Sequence, residues 1–205
     1  MCIYLNLNGG FLQTNQVFVR YLGSAALLLM LAGCSVTPEL PQGGYGAVSK
    51  QHLSQLTQWK LDGRMSITSP DDSWSANVEW QRRAGEDSIQ LSGPLGQGAV
   101  IIHLGAKEVS IDDGDGRLQH SSDPDLFVKE RLGVFVPVRA LSYWVIGLPD
   151  PSREVRYTAQ GFEQENWQIE YKEWQSIAGR SMPRKVTVVN DKVKLKLVCD
   201  QWVIG

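Results

Sequence analysis

The stretch DKVKLKLVCDQW, residues 191–202, decides the fold class of this chain. Val193, Leu195, Leu197 and Cys199 occupy every second position, and polar residues stand between most of them. Because side chains alternate between the two faces of a β-strand, this spacing predicts a strand with one buried face and one exposed face. Such half-exposed strands are typical of antiparallel sheets.

The same period of two recurs through most of the chain. Apolar residues alternate with polar ones over residues 65–80, 89–104, 155–171 and 186–188. Turn-forming sequences separate the alternating segments, among them SPDD at residues 69–72 and DDGDG at residues 112–116. Short strands joined by tight turns predict an antiparallel sheet that curls.

Two segments depart from this period and predict short helices. Asp123 and Pro124 have the order of an N-cap followed by a first helical residue. Pro137 begins a second helical segment, which Gly147 and Pro149 end. Two helices inserted between halves of a curled sheet either cover its concave side or complete its core.

The N-terminal region predicts processing and export. An apolar segment over residues 21–32 is too short to span a bilayer and suits a signal peptide. It ends in Leu-Ala-Gly-Cys, which resembles a bacterial lipobox, although an ordinary secretory signal is the alternative. We expect a signal peptide over residues 1–33, acylation of Cys34, and a Pro- and Gly-rich tether over residues 34–47. A single domain over residues 48–205 follows.

The first element of that domain is predicted to be a short helix. Val48, Leu53, Leu56 and Trp59 have the spacing of one helical face within residues 48–59.

Composition excludes several classes of function. Lys and Arg number 20 against 22 Asp and Glu, and no basic run occurs, so nucleic-acid binding is not expected. The 3 histidines lack metal-ligand spacing, and no G-x-S-x-G nucleophile motif is present. We therefore expect no metal, no cofactor and no catalytic site. Cys199 is the one cysteine in the predicted domain, so we expect it to be buried and without a disulfide.

Apolar residues carry the remaining signal. The chain has 7 tryptophans, which either fill a core or line a cavity; periodicity does not distinguish these two arrangements. In addition, Leu95 lies inside the turn-forming sequence SGPLGQG, residues 92–98, where a large apolar side chain either protrudes or folds back on the core.

Four motifs in this order together resemble the LolB family of outer-membrane lipoprotein receptors: LAGCSV, LSGPLGQGAV, LSYWVIGLPD and the C-terminal MPRKVTVVNDKVKLKLVCDQWVIG. The resemblance implies a mainly β fold, an open, curled antiparallel β-barrel with a short-helix lid that encloses an apolar cavity. It also implies a receptor, not an enzyme, that accepts acylated lipoproteins from a periplasmic carrier of the LolA type. The receptor inserts them into the outer membrane, on whose periplasmic face Cys34 anchors it. We expect a monomer.

The resemblance also assigns roles to residues. Pro94, Leu95 and Gly96 correspond to a protruding loop credited in the family with delivery to outer-membrane lipid. Candidates for an acyl-chain cavity are Met65, Ile67, Val78, Trp80, Leu91, Val100, Ile102, Leu141, Trp144 and Val145. Two alternatives remain, a lipid-anchored envelope protein that acts as a partner-binding or assembly module and a lipid-modifying enzyme.

Overall fold

The computed structural model describes residues 44–96, 98–114 and 118–205, which fall within one structural unit, Pro38–Gly205. The predicted signal peptide, Cys34 and most of the predicted tether lie outside the described residues. Eleven strands dominate the described part: β1 Gln58–Thr68, β2 Ser73–Arg83, β3 Glu86–Ser92, β4 Val100–Leu104, β5 Val109–Asp112, β6 Leu118–Ser121, β7 Arg156–Tyr157, β8 Gly161–Gln164, β9 Trp167–Ile177, β10 Arg180–Val189 and β11 Lys194–Ile204.

All eleven strands form one antiparallel sheet in the order β6-β5-β4-β3-β2-β1-β11-β10-β9-β8-β7. The first and last strands of the chain's meander, β1 and β11, pair in the middle of the sheet, so β6 and β7 remain as its edges. The curled antiparallel sheet predicted from the alternating pattern is therefore confirmed, and so is the mainly β, open fold that the family resemblance implies.

Bulges help the long central strands to curl, because an extra residue increases the local twist. The pairing of β1 with β11 shifts register between Asp62 and Gly63. A Cβ atom on Gly63 would lie 2.2 Å from the Val198 carbonyl oxygen, so only glycine allows the two strands to approach this closely. A second irregularity in β10 follows Pro183.

Two helices connect β6 to β7 as predicted: α1 spans Pro124–Leu132 and α2 spans Val138–Trp144. The Asp123 carboxylate caps α1 by accepting a hydrogen bond from the Leu126 amide, at 3.1 Å. Gly133 ends α1 in the left-handed region, with φ 74°. No helix among the described residues is long and apolar enough to cross a bilayer.

The predicted helix over residues 48–59 is wrong. Only one 3₁₀ turn forms there, at Leu53–Gln55, with another just before it at Gly44–Ala47, and Trp59 already belongs to β1. Val48, Leu53, Leu56 and Trp59 are nevertheless all buried. The apolar spacing identified core residues correctly, but from Gln58 onward the pairing of β1 with β2 and β11 determines the backbone.

The predicted tether also extends too far toward the C-terminus. Tyr45 is 2% exposed, its amide donates to the Ala159 carbonyl at 2.9 Å, and its ring stacks on Tyr171 at 5.1 Å. The folded part therefore begins no later than Gly44, before the predicted boundary at residue 48.

Candidate functional site

An apolar cavity lies between the concave face of the sheet and the two helices. The sheet contributes inward-facing side chains from five strands, and the helical segment contributes the rest. The lining residues are Met65, Ile67, Val78, Trp80, Ile89, Leu91, Ile102, Leu195, Leu197, Val128, Val136, Val138 and Leu141. Every lining side chain is apolar in character, so the cavity favours a hydrocarbon over a polar ligand.

The cavity is small, with a volume of about 40 Å³. About 10–15 Å³ measured in this way holds one water molecule, so only a few small groups fit. An acyl chain is too large for this volume. Helices α1 and α2, with the connection between them, therefore form a closed lid.

Seven of the ten residues predicted for the cavity line it, namely Met65, Ile67, Val78, Trp80, Leu91, Ile102 and Leu141. The strand residues among them lie on the face that their alternation predicted, because cross-strand partners share a face; Val78 lies opposite Leu91. The bulge in β1 did not change the inward direction of Met65 and Ile67.

The other three predicted residues lie elsewhere. Val100 lies opposite Leu91 on the concave face, but it is only half-buried at the start of β4 and does not line the cavity. Trp144 and Val145 are fully buried at the far end of α2. The Trp144 ring packs against Trp167, with the ring centroids 6.1 Å apart.

The prediction missed six lining residues, Ile89, Val128, Val136, Val138, Leu195 and Leu197. Ile89, Leu195 and Leu197 alternate with their neighbours in the same way as the strand residues that were predicted to line the cavity, so the sequence pattern was sufficient to predict them as well. The lid residues give no comparable pattern, because the connection between α1 and α2 is irregular.

A buried carboxylate joins the lid to the sheet. Asp87, at the start of β3, is only 4% exposed and accepts three side-chain hydrogen bonds. Trp80 donates through Nε1 at 3.1 Å, Arg82 through Nη2 at 2.9 Å and Ser142 of α2 through its hydroxyl at 2.9 Å. The charged partner Arg82 offsets the cost of burying the carboxylate. Since Trp80 lines the cavity, one group contacts the lid and the cavity wall.

The C-terminal end of α2 is held by a separate buried network. The Trp144 indole donates to the Gln164 side-chain oxygen at 2.7 Å, and the Tyr171 hydroxyl donates to the Trp144 carbonyl at 2.7 Å. The Tyr45 hydroxyl donates to the Gly147 carbonyl at 2.8 Å. Burial raises the pKa of both phenols, so both hydroxyls keep the proton that they donate.

The loop around Leu95 forms a hydrogen-bonded turn that presents its apolar side chain to solvent. Leu95 is 85% exposed, the highest value among the large apolar side chains of the described residues. The Gly96 amide donates to the Gly93 carbonyl at 2.8 Å, which closes a turn with Pro94 and Leu95 at its centre. The Asn77 side chain donates to the same carbonyl at 3.2 Å. The alternative in which Leu95 folds back on the core is therefore wrong.

Comparison with known proteins decides the family. The family model described as outer membrane lipoprotein LolB matches residues 57–202, which include both helices and the whole sheet except the last two residues of β11. The chain belongs to the LolB family. The resemblance noted from the four motifs is thus confirmed.

Individual LolB proteins match over most of their length. An outer-membrane lipoprotein LolB of Pseudomonas aeruginosa strain LESB58 is 34% identical over 197 residues, covering 90% of this chain and 96% of its own. The LolB of Chromohalobacter salexigens is 32% identical over 186 residues, 86% of each chain. Among solved structures, a putative outer membrane lipoprotein-sorting protein domain from Vibrio parahaemolyticus gives a TM-score of 0.44 at 8% identity, covering 80% and 93% of the two chains.

Proposed function

We propose that this chain is an outer-membrane lipoprotein receptor. It accepts acylated lipoproteins from a periplasmic carrier of the LolA type and inserts them into the outer membrane, without a chemical step. The observation that carries the proposal is the wholly apolar cavity between the sheet and a two-helix lid, in a chain of the LolB family. Acylation of Cys34, which lies outside the described residues, anchors the receptor to the periplasmic face of that membrane.

The energetics of lipid transfer explain why such a cavity is needed. Each acyl methylene removed from water is worth about 0.8 kcal/mol, so a free lipoprotein with several chains faces a cost of tens of kcal/mol in the periplasm. A receptor lowers this cost by burying the chains and then releasing them to the bilayer, which is the more favourable environment. No nucleotide or reaction is required, since each transfer step lowers the free energy of the acyl chains by moving them into a more favourable apolar environment.

Loading requires the lid to open, because the closed cavity has a volume of only about 40 Å³. Lid side chains such as Val128, Val136 and Leu141 close the cavity when it is empty. An acyl chain replaces these contacts with its own, so opening the lid exchanges one set of apolar contacts for another. The cargo therefore contributes the free energy that holds the lid open.

Leu95 acts at the delivery step. Burying one leucine side chain in a bilayer gives about 1.5–3 kcal/mol, which is too little to anchor a domain but enough to favour a brief contact. With Cys34 as the permanent anchor, the exposed Leu95 brings the cargo-loaded domain against the membrane surface while the acyl chains leave.

Transfer in vitro tests both steps of this proposal. A LolA-type carrier loaded with a lipoprotein is mixed with the anchored receptor in liposomes, and the lipoprotein is followed from carrier to receptor and from receptor to lipid. The wild-type chain is expected to take up the cargo and release it. Leu95→Glu is expected to take up cargo normally but to deliver it at least tenfold more slowly, because a charge replaces the apolar contact.

Val203→Glu is the matched control. Val203 is also exposed, at 65%, but lies near the C-terminal end of β11, away from the Leu95 turn. This variant is expected to deliver cargo at the wild-type rate. Failure of the wild type to take up cargo contradicts the receptor function, whereas normal delivery by Leu95→Glu contradicts only the role of Leu95.

A further inference from the structure

One tryptophan differs from all the others in its exposure. The chain has 7 tryptophans, and six of them are buried, none more than 6% exposed: Trp59, Trp80, Trp144, Trp167, Trp174 and Trp202. Trp74, the second residue of β2, is only half-buried. Its indole N–H makes no hydrogen bond to the described residues and is accessible to solvent. Burial in the core therefore does not account for Trp74 as it does for the other six.

Trp74 points to the concave face of the sheet, on the border of the apolar cavity. It alternates in step with Ala76, Val78 and Trp80 along β2, and the pairing of β2 with β1 has no register shift. Its partner in β1 is Ile67, which lines the cavity. Trp74 packs against the core but does not itself line the cavity. The ring therefore lies between the cavity and solvent.

The two ends of the cavity differ. At one end the buried Trp59 ring packs against Trp80 and Trp202, with ring centroids 5.8 and 5.5 Å apart, and these rings close the concave space. Trp74 lies six positions from Trp80 along β2, or roughly 20 Å away at the other end. Val100, which begins β4 after the Leu95 turn, is half-buried on the concave face there. Trp74 and Val100 form the rim of the cavity.

The Leu95 turn lies at the same end of the sheet as this rim. β3 ends at Ser92, which pairs with Asn77 of β2. Because the two strands are antiparallel, the chain that continues beyond Ser92 runs toward the start of β2. The same register, continued, would place position 95 opposite Trp74. The exposed Leu95 and the half-buried Trp74 therefore belong to one surface.

The chemistry of these two side chains matches the surface of a bilayer. Tryptophan combines a large apolar ring with one N–H donor, and it is enriched at the level of lipid headgroups, where both are satisfied. Leucine has no polar group and suits the acyl region beneath. We infer that Trp74 contacts a phospholipid bilayer at the headgroup level when Leu95 inserts, which brings the rim of the cavity against the membrane. This inference rests on the proposed function, because it takes the Leu95 end as the end that meets the bilayer.

Fluorescence quenching by brominated lipid tests the contact. The anchored receptor, without cargo or carrier, is placed in phosphatidylcholine liposomes whose acyl chains carry bromine near the headgroups, and in matched liposomes without bromine. Bromine quenches a tryptophan only at short range, so the six buried rings are protected. The wild type is expected to lose up to about one part in 7 of its emission, since one of its 7 tryptophans is affected. Trp74→Phe keeps an apolar ring at this position and is expected to show no measurable loss.

Trp174→Phe is the matched control, because it removes a buried tryptophan by the same substitution and should keep the loss of emission. The inference is overturned if the wild type loses no emission, or if Trp74→Phe loses as much as the wild type. A change in Trp74 emission that needs the LolA-type carrier, with none from brominated lipid, would assign the rim to the carrier instead. Since no cargo is present, a receptor that fails to take up lipoprotein but still shows the quenching contradicts the receptor function and not this contact.

Discussion

Replacing Ser142 by alanine should favour the open lid without disturbing the rest of the sheet. The Ser142 side chain is buried, and its hydroxyl lies 2.9 Å from the Asp87 carboxylate. A hydrogen bond to a charged group contributes about 1.5–3 kcal/mol. In the variant, Asp87 keeps its contacts with Trp80 and Arg82, so its charge stays compensated. The loss therefore affects the closed lid specifically and shifts the equilibrium toward the open lid by roughly 10- to 150-fold.

Two measurements follow this shift. Hydrogen exchange should become faster in the amides of α2 by up to that factor, while the central strands β1 and β11 keep most of their protection. A fluorescent fatty acid should bind more tightly by up to the same factor, because less free energy is spent on opening the lid. Ser110→Ala, which removes another buried serine hydroxyl from β5, is the matched control and should change neither quantity.

The reasoning is refuted by either of two results. If α2 exchanges at the wild-type rate in Ser142→Ala, then the hydrogen bond to Asp87 does not hold the lid. If exchange accelerates but the fatty acid binds no better, then lid opening does not control access to the cavity.

Three further predictions concern the cavity, the core and the strand pairing. Leu141→Phe should occupy the apolar cavity and weaken fatty-acid binding at least tenfold while the protein stays folded, as calorimetry with and without the probe will show; unchanged binding would place the ligand elsewhere. Cys199 should resist alkylation at pH 8 until the protein unfolds, because burial and, to a smaller extent, the negative charge of Asp200 raise the pKa of its thiol. Because the pKa is raised in the folded state, the contribution of the protonated thiol to the free energy of unfolding is present below about pH 8.5 and declines above it. Gly63→Ala should lower the free energy of unfolding in urea by about 3 kcal/mol or more, because its Cβ would lie 2.2 Å from a backbone oxygen, whereas Gly46→Ala, with no atom within 4 Å, should have little effect.

The sequence predicted those features that depend on local alternation. The period of two in β11 assigned Leu195 and Leu197 to the buried face, and the same rule assigned Met65, Val78 and Leu91 to the concave face. The alternation of faces read from the sequence is kept in the folded sheet, because a register shift of one residue would expose all the apolar side chains of the strand. Helix α1 was predictable for a similar reason, since its N-cap and first proline are adjacent in sequence.

Features that depend on distant contacts were not predictable. The segment over residues 48–59 has helical spacing, but its last two residues, Gln58 and Trp59, pair in the sheet, and there strand pairing overrides the local preference. Tyr45 lies in a Gly-rich segment, and contacts with distant residues such as Ala159, Gly147 and Tyr171 make it part of the core. Asp87 and Ser142 are 55 positions apart, and nothing near either residue in the sequence indicates their hydrogen bond.

Photocrosslinking of the cargo tests the central claim most directly. A lipoprotein that carries a photoreactive acyl chain is transferred to the receptor, irradiated, and the labelled peptides are identified by mass spectrometry. The account predicts labels on the concave strands and the lid, at residues such as Met65, Leu141 and Leu197. Labels confined to the Leu95 turn or to the outer face of the sheet would contradict it, because the acyl chain would then never occupy the cavity.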